Sequence, residues 1–222
     1  MDGCCGRDGY DEVFTDGFAR RVARRYRERG LDRTRQRVVD FLADRGVEGA
    51  SVLEIGGGVG EIQVELLRRG AASVTNLEIS TTYERQAAML IDEAGAADRV
   101  ERRIIDIALS PEDVEPADIV VLHRVVCCYP DYERLLSAAG SHAERLLVFS
   151  YPPRNLISRF MMGSENLYRR VRRSKFRTFV HPPDDMVRVA EAQGLVRRSS
   201  QRSGLAWTVA GFERAPHSRI TW

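Results

Sequence analysis

A glycine-rich stretch at residues 51–70 constrains the fold of this chain more than any other segment. It reads SVLEIGGGVGEIQVELLRRG: an apolar, strand-like start, four glycines within five residues, and a second half with helical spacing. Glycine permits positive φ angles and lets a backbone approach a ligand where a side chain would collide. A strand that runs through such a turn into a helix typically cradles a nucleotide. We therefore predict a nucleotide-type site around Gly56, Gly57, Gly58 and Gly60.

Two familiar nucleotide motifs do not match this stretch. A dinucleotide fingerprint would need a glycine at position 61, where the chain has Glu61. The G-K-[ST] sequence of a phosphate-binding loop is also missing from the stretch. The pattern therefore argues against both NAD and ATP as the ligand.

Strand-like and helix-like segments alternate after Gly46, which indicates an α/β fold with a mostly parallel sheet. The predicted parallel strands are 51–56, 73–79, 99–107, 117–123 and 145–151. Two amphipathic helices, 18–30 and 31–46, precede them. A helix at 183–194 and an antiparallel hairpin of strands 195–202 and 206–213 follow, which closes the sheet.

Composition narrows the class of protein further. The chain has 222 residues, of which 43% are apolar and 30% charged, and this length is ordinary for one α/β domain. Apolar runs such as IVVL (119–122) are far too short to span a bilayer. A formal net charge of +2 is too small to attract the whole protein to nucleic acid. We predict a soluble cytoplasmic monomer or homodimer that acts on a small molecule and binds neither nucleic acid nor membrane.

The E-x-G-x-G-x-G form of the glycine stretch, with Glu54, Gly56, Gly58 and Gly60, resembles motif I of the class I S-adenosylmethionine-dependent methyltransferases. The resemblance spans residues 48–150 and implies a Rossmann-like, seven-stranded sheet with S-adenosylmethionine as cofactor. Glu78, 22 residues after Gly56, is placed to accept both ribose hydroxyls. The family implies a carboxylate near the adenine amino group, which is Asp106 here. Glu54 would order the loop or meet the ligand's amino group.

A narrower resemblance rests on three short motifs: YDEVFTDGFARRVARRY (10–26), LHRVVCCYPD (122–131) and HPP (181–183). Together they are similar to the magnesium-protoporphyrin O-methyltransferase-like branch. We expect one methyltransferase domain over 1–222. Its parts are a helical N-terminal lid (1–46), a cofactor-binding core (47–151), a basic insert (152–175), and a C-terminal helix with closing strands (176–222).

The four cysteines form two adjacent pairs, Cys4-Cys5 and Cys127-Cys128, with His123 just before the second pair. The lid and the end of the fourth strand meet at one edge of such a sheet, so the pairs are predicted to hold one zinc ion. Zinc would deprotonate the thiol of a small-molecule acceptor. The candidate catalytic residues are His123, Cys127, Cys128 and His181; the candidate metal ligands are Cys4, Cys5, Cys127, Cys128 and His123.

Other interpretations of the same residues stay open. The cysteines are equally compatible with small buried apolar groups and a frayed terminus. The acceptor could be a hydroxyl or a carboxylate of a small metabolite, or the chain could be a metal- or arsenical-binding thiol protein. In the basic insert, Leu156, Phe160 and Met161 are predicted to cover the cofactor pocket beside a solvated basic end, in preference to RNA or membrane binding.

Overall fold

The computed structural model describes residues 7–215 of the chain. Seven strands form one sheet in the order β3-β2-β1-β4-β5-β7-β6, and β1 to β5 pair in parallel while β7 runs antiparallel to both β5 and β6. This confirms the predicted fold class. The strands are β1 (Ser51–Ile55), β2 (Ser73–Glu78), β3 (Val100–Ile104), β4 (Ala117–Leu122), β5 (Ala143–Tyr151), β6 (Leu195–Ser203) and β7 (Trp207–Arg214).

Eight α-helices accompany these strands within the described residues. They are α1 (Arg7–Asp11), α2 (Asp16–Arg29), α3 (Arg33–Ala43), α4 (Glu61–Arg68), α5 (Glu84–Glu93), α6 (Tyr132–His142), α7 (Leu156–Val171) and α8 (Pro183–Ala192). A short 3₁₀ turn, Val126–Cys128, follows β4. Not one of the helices between residues 7 and 215 is long and apolar enough to cross a membrane.

The sheet is covered on both faces because its central strands are apolar on both sides. Along β4, Val120 and Leu122 belong to the core on one face and Ile119 and Val121 to the core on the other. Continuous burial of this kind is typical of parallel strands with helices on both faces. The ends of β1 and β4, where the order of connections reverses, are therefore the place where a ligand binds in such sheets.

One predicted strand boundary is wrong. The third strand was expected to run from 99 to 107, but β3 ends at Ile104. The chain turns at Asp106, whose carbonyl accepts hydrogen bonds from the amides of Leu109 and Ser110. Asp106 therefore lies in a turn beyond the strand, with its side chain free to reach toward the end of the sheet.

The N-terminal helices α1 and α2 lie over the carboxyl end of β2. Thr15 caps α2 by accepting from the amide of Phe18, which sets the corner between the two helices. The Ser80 hydroxyl donates to Asp11 at 2.5 Å, and the Thr82 hydroxyl donates to the Phe14 carbonyl. These bonds hold the N-terminal lid against the residues that follow β2.

Candidate active site

A cavity opens at the carboxyl ends of β1, β2 and β4, under the lid. Its empty volume is about 1110 Å³, counted out to open solvent. The glycine loop forms its floor, and the cavity is lined by side chains from both the lid and the strand ends, among them Tyr10, Phe14, Phe18, Val22, Arg35, Glu54, Glu61, Glu78, Tyr83, Asp106, His123, Arg124, Cys128 and Tyr129.

The glycine loop needs its glycines for two different reasons. Gly56, Gly58 and Gly60 all have positive φ angles, of 66°, 61° and 86°. Gly57 does not have a positive φ angle, but an added Cβ there would lie 2.0 Å from the side-chain nitrogen Nδ2 of Asn76. At Gly58 the atoms nearest to an added Cβ belong to the ring of Tyr83, at 3.6 Å or more, and both residues line the cavity. The loop is thus a cradle that presents backbone to a ligand.

The carboxylates predicted to bind the cofactor all line this cavity. Glu78 accepts a hydrogen bond from the Gly58 amide, and burial raises its pKa to about 7. Glu54 is 2% exposed, accepts from the Asn76 side chain at 3.3 Å, and has its pKa raised by burial to about 8. Asp106 accepts from the Tyr129 hydroxyl at 2.9 Å and from the Ala108 amide at 3.0 Å. Burial raises the pKa of Asp106 as well.

Arg102 contacts the glycine loop from β3, a role that the sequence analysis did not predict. It lies on β3, where its guanidinium donates to the Gly58 carbonyl at 3.0 Å and pairs with Glu84 at 2.8 Å. A charged residue in an outer strand is ordinarily a solvated side chain, so spacing alone does not distinguish it. Arg102 ties the glycine loop to the start of α5.

Comparison with known proteins identifies the family. The family model described as "Methyltransferase domain" matches residues 21–199, most of the chain. This chain belongs to that family. The methyltransferase is of class I and uses S-adenosylmethionine, as its glycine motif predicted. A comparison with curated protein sequences finds no match.

Solved structures share the fold of the methyltransferase at low sequence identity. Magnesium protoporphyrin IX methyltransferase from Synechocystis PCC 6803, with bound SAH, is 21% identical; the match covers 94% of this chain and 97% of that one, with a TM-score of 0.72. An O-methyltransferase family protein from Burkholderia thailandensis is 19% identical over 91% and 64% of the two chains, with a TM-score of 0.67. An O-methyltransferase family 2 protein from Planctomyces limnophilus, in complex with apigenin, is 16% identical over 84% and 63%, with a TM-score of 0.60.

His123 lines the cavity at the end of β4, and its contact with Ser150 favours one tautomer. The Arg124 amide donates to the Ser150 hydroxyl oxygen at 2.8 Å, and that oxygen lies 3.2 Å from His123 Nδ1. Ser150 is fully buried, and Nδ1 is the one acceptor recorded for its proton in the described chain. Nδ1 therefore accepts and Nε2 carries the hydrogen. Buried Nε2 has no partner among the described residues.

Burial, with the positive charges of Arg35 and Arg124 added to it, holds the pKa of His123 well below its ordinary value. The imidazole is consequently neutral at physiological pH. It is a hydrogen-bond donor at the wall of the cavity, and a poor proton acceptor.

A network of charged side chains surrounds His123, and the sequence analysis did not anticipate it. Asp32 lies 2.5 Å from Arg35 and 3.2 Å from Arg124, and Arg35 lies 3.2 Å from Glu61. Burial opposes ionisation of Asp32, but the two arginines lower its pKa to about 2. Arg124 has a φ angle of 60°, unusual for a residue with a side chain. Residues with such unfavourable backbone angles are found mainly at active sites and ligand-binding sites.

The cysteine pair after β4 lies beside the cavity. Cys127 is buried and Cys128 lines the cavity, with their Sγ atoms 3.6 Å apart. Both thiols donate to the Arg124 carbonyl, at 3.6 and 3.7 Å. Within residues 7–215 the structure places no three or more metal-ligating side chains together. Cys4 and Cys5 lie outside the described residues, so a zinc site shared by the two pairs stays a prediction.

His181 occupies a different position from the other candidate catalytic residues. Its Nε2 lies 3.0 Å from the Tyr129 carbonyl, its ring stacks on Phe179, and it does not line the cavity. Burial lowers its pKa. It fastens the segment before α8 to the loop after β4. Tyr10 contacts the same loop from the lid, because its hydroxyl donates to the Cys128 carbonyl at 2.8 Å.

Proposed function

We propose that this methyltransferase transfers the methyl group of S-adenosylmethionine to a carboxylate oxygen of a small molecule. The single observation that carries the proposal is His123 Nε2–H, a buried donor without a partner in the described chain, on the wall of the cavity that the glycine loop shares. A donor in that place recognises an oxygen that carries negative charge. Bound S-adenosylmethionine supplies a methyl group already activated on a sulfonium, so positioning is the main task of the protein.

The glycine loop and two carboxylates fit the cofactor. The Gly58 position has room for a ligand against the backbone, and Glu78 lies next to it at the end of β2. The Glu78 carboxylate would accept from the ribose hydroxyls, and Asp106 would lie near the adenine amino group. Glu54 would order the loop through its bond with Asn76. This assignment leaves the wall beyond β4, with His123 and Arg124, for the methyl acceptor.

A carboxylate acceptor is favoured over a hydroxyl because the residues of the proposed acceptor wall, His123 and Arg124, offer no proton acceptor. His123 is neutral with its proton on Nε2, and taking a second proton beside Arg35 and Arg124 is unfavourable. Of the lining carboxylates, Glu61 is paired with Arg35, and Glu54, Glu78 and Asp106 are on the cofactor side in the assignment above. A carboxylate is already ionised at neutral pH and needs no deprotonation before it attacks. A hydroxyl would need a base.

Similar proteins support a small-molecule acceptor. The Synechocystis protein is named as a magnesium protoporphyrin IX methyltransferase, and the Planctomyces O-methyltransferase was solved with apigenin. Both names refer to compounds that are far smaller than a protein or a nucleic acid.

The first test measures cofactor binding by calorimetry with S-adenosylmethionine, its demethylated product and NAD. We expect heat with the first two and none with NAD.

The second test supplies a panel of aromatic and aliphatic carboxylic acids, matched alcohols and phenols, and small thiols, and measures formation of the demethylated product. Turnover with carboxylic acids alone supports the proposal. Turnover with alcohols or thiols but not with acids would overturn it.

His123 has a test of its own, because Gln carries an amide N–H near the position of Nε2. His123→Gln should keep much of the turnover, whereas His123→Leu should raise KM for the acid while leaving cofactor affinity unchanged. Ser150→Ala removes the hydroxyl that contacts Nδ1, so either tautomer of His123 can form and we expect a smaller rise in KM.

At saturating cofactor the rate should be flat between pH 6 and 8. A rate that climbs through this range and is abolished in His123→Gln would instead assign His123 as a base.

A second candidate is methylation of a small thiol at cysteine-bound zinc. One observation favours it: the 3.6 Å between the Sγ atoms of Cys127 and Cys128 is close to the roughly 3.8 Å that two thiolates take around tetrahedral zinc. Metal analysis of the isolated protein, with chelation and zinc restoration, tests it. If thiol turnover follows zinc and fails in Cys128→Ser, the thiol acceptor replaces the carboxylate.

A further inference from the structure

Helix α7 presents its apolar side chains to solvent. Among the described residues, twelve large apolar side chains are exposed, and seven of them lie on this one helix: Leu156, Ile157, Phe160, Met161, Leu167, Tyr168 and Val171. Leu156 is 82% exposed and Phe160 is 76% exposed. Apolar groups scattered singly over a surface are ordinary, but a contiguous exposed patch marks an interaction site.

The exposed apolar residues form one continuous stripe. At about 100° per residue, their spacing places all seven within an arc of roughly 140°. Arg159 and Arg170 lie on one side of this arc, and Arg172, at the C-terminal end of the helix, lies on the other. The helix is therefore amphipathic, but its apolar face points away from the protein.

The opposite face of α7 holds the helix to the protein through polar contacts. The Asn166 side chain donates to the Thr178 carbonyl at 2.7 Å and accepts from the Thr178 amide at 2.9 Å. The Arg169 guanidinium lies 4.8 Å from the centre of the Phe176 ring. Ser158 is buried on the same side. These contacts fix which face is inside, so the outward apolar stripe is set by the fold.

The expectation that Leu156, Phe160 and Met161 cover the cofactor pocket is wrong. None of the three lines the cavity, and even Met161 is 54% exposed. The cavity is covered by the lid instead, through Tyr10, Phe14 and Phe18. The apolar stripe of α7 thus has no counterpart within the described chain.

The charge of the segment identifies the partner. Residues 154–175 carry seven cationic side chains and a single acidic one, Glu165, which is paired with Arg169. Arginines beside an apolar stripe complement a surface with phosphate groups outside and hydrocarbon beneath. A nucleic acid offers the phosphates but no hydrocarbon, and a second copy of this chain would bring arginines against arginines.

We propose that α7 is an interfacial helix that binds the surface of an anionic lipid bilayer. Its apolar stripe enters the boundary between headgroups and acyl chains, and its flanking arginines contact lipid phosphates. The helix has 16 residues and lies along the surface. This inference concerns where the enzyme works, and it is independent of which acceptor it methylates.

The test is co-sedimentation of the full chain with vesicles of phosphatidylcholine alone and with one-quarter phosphatidylglycerol. We expect binding to the anionic vesicles that weakens as salt is raised. The variant Phe160→Ser/Leu167→Ser should bind at least tenfold more weakly, because two large anchors are lost. The variant Arg170→Gln/Arg172→Gln should lose roughly 30-fold on anionic vesicles.

A matched control removes exposed apolar groups elsewhere. Met89→Ser/Leu205→Ser takes away two exposed side chains on other surfaces and should leave vesicle binding unchanged. All variants should retain S-adenosylmethionine binding, since none touches the cavity. Three results would overturn the proposal: no binding to either vesicle, equal loss in the control, or a dimer in light scattering that disappears in Phe160→Ser/Leu167→Ser while vesicles go unbound. Salt-sensitive binding to tRNA without vesicle binding would also reject it.

Discussion

Glu78 makes cofactor binding depend on pH near neutrality. Its pKa is raised to about 7 by burial, and the ionised form is the better acceptor for ribose hydroxyls. Affinity for S-adenosylmethionine should therefore increase as pH rises from 6 to 8, by up to roughly tenfold. Calorimetry across this range measures it. In Glu78→Gln the affinity should be weaker and flat with pH; a slope that survives in this variant would assign the titration to another group.

Gly58 adopts a φ angle of 61°, which a side chain tolerates poorly. Gly58→Ala should cost about 1–2 kcal/mol of folding free energy and should weaken cofactor binding further, because this residue lines the cavity. Urea unfolding measures the first effect and calorimetry the second. Gly163→Ala is the matched control, since nothing lies within 4 Å of that position and alanine favours a helix. It should leave stability the same or higher.

Among the individual site residues, the sequence predicted those whose positions follow from the spacing of residues close together in the chain. The glycine loop and Glu78 follow from a strand, a turn and a following strand end, and they lie in the cavity as expected. The proton position on His123 depends on Ser150, 27 residues away on another strand, and a pattern in one segment contains no such information. Arg35 likewise reaches Glu61 only once α3 is packed, whereas its pairing with Asp32 is local to the start of that helix.

The lid is an element that contacts the acceptor side of the cavity. Tyr10 supplies one of them through its hydroxyl bond to the Cys128 carbonyl. Tyr10→Phe should lower the stability of the closed lid by about 0.5–1.5 kcal/mol. Amides of residues 7–29 should then exchange hydrogen faster, with strands β1 and β4 unaffected. Tyr168→Phe, on the exposed face of α7, is the control and should change neither; equal acceleration in both variants would contradict the lid assignment.

Strand and helix positions were predictable because their periodicity reflects local burial. The closing pair was expected at 195–202 and 206–213 and is found at Leu195–Ser203 and Trp207–Arg214. The orientation of α7 was not predictable in this way. A helix with apolar residues at three- and four-residue spacing gives the same pattern whether the stripe faces inward or outward. The contacts of the inner face, the bonds between Asn166 and Thr178 among them, distinguish the two.

For the whole molecule, buried acids at the cofactor end lower stability as pH rises. Burial raises the pKa of Glu54 to about 8, while in the unfolded chain it is near 4.5. Between these values the folded state holds a proton that the unfolded state has lost, so the free energy of unfolding falls as pH rises and levels off above about 8. Urea unfolding at pH 5 and pH 8 should show the fall. Glu54→Gln should reduce the difference; an unchanged difference would place its origin elsewhere.

The lid forms part of the cavity wall, with the Phe14 and Phe18 side chains over the glycine loop and Tyr10 joined to the loop after β4. A nucleoside bound beneath this wall would contact the lid as well as the glycine loop. Release of the demethylated product would then involve movement of the lid, and such steps commonly set the pace of an enzyme cycle. We expect the spent cofactor to inhibit turnover for this reason. The contacts that hold α1 and α2, the Tyr10 bond among them, would influence how soon each molecule can begin a new cycle.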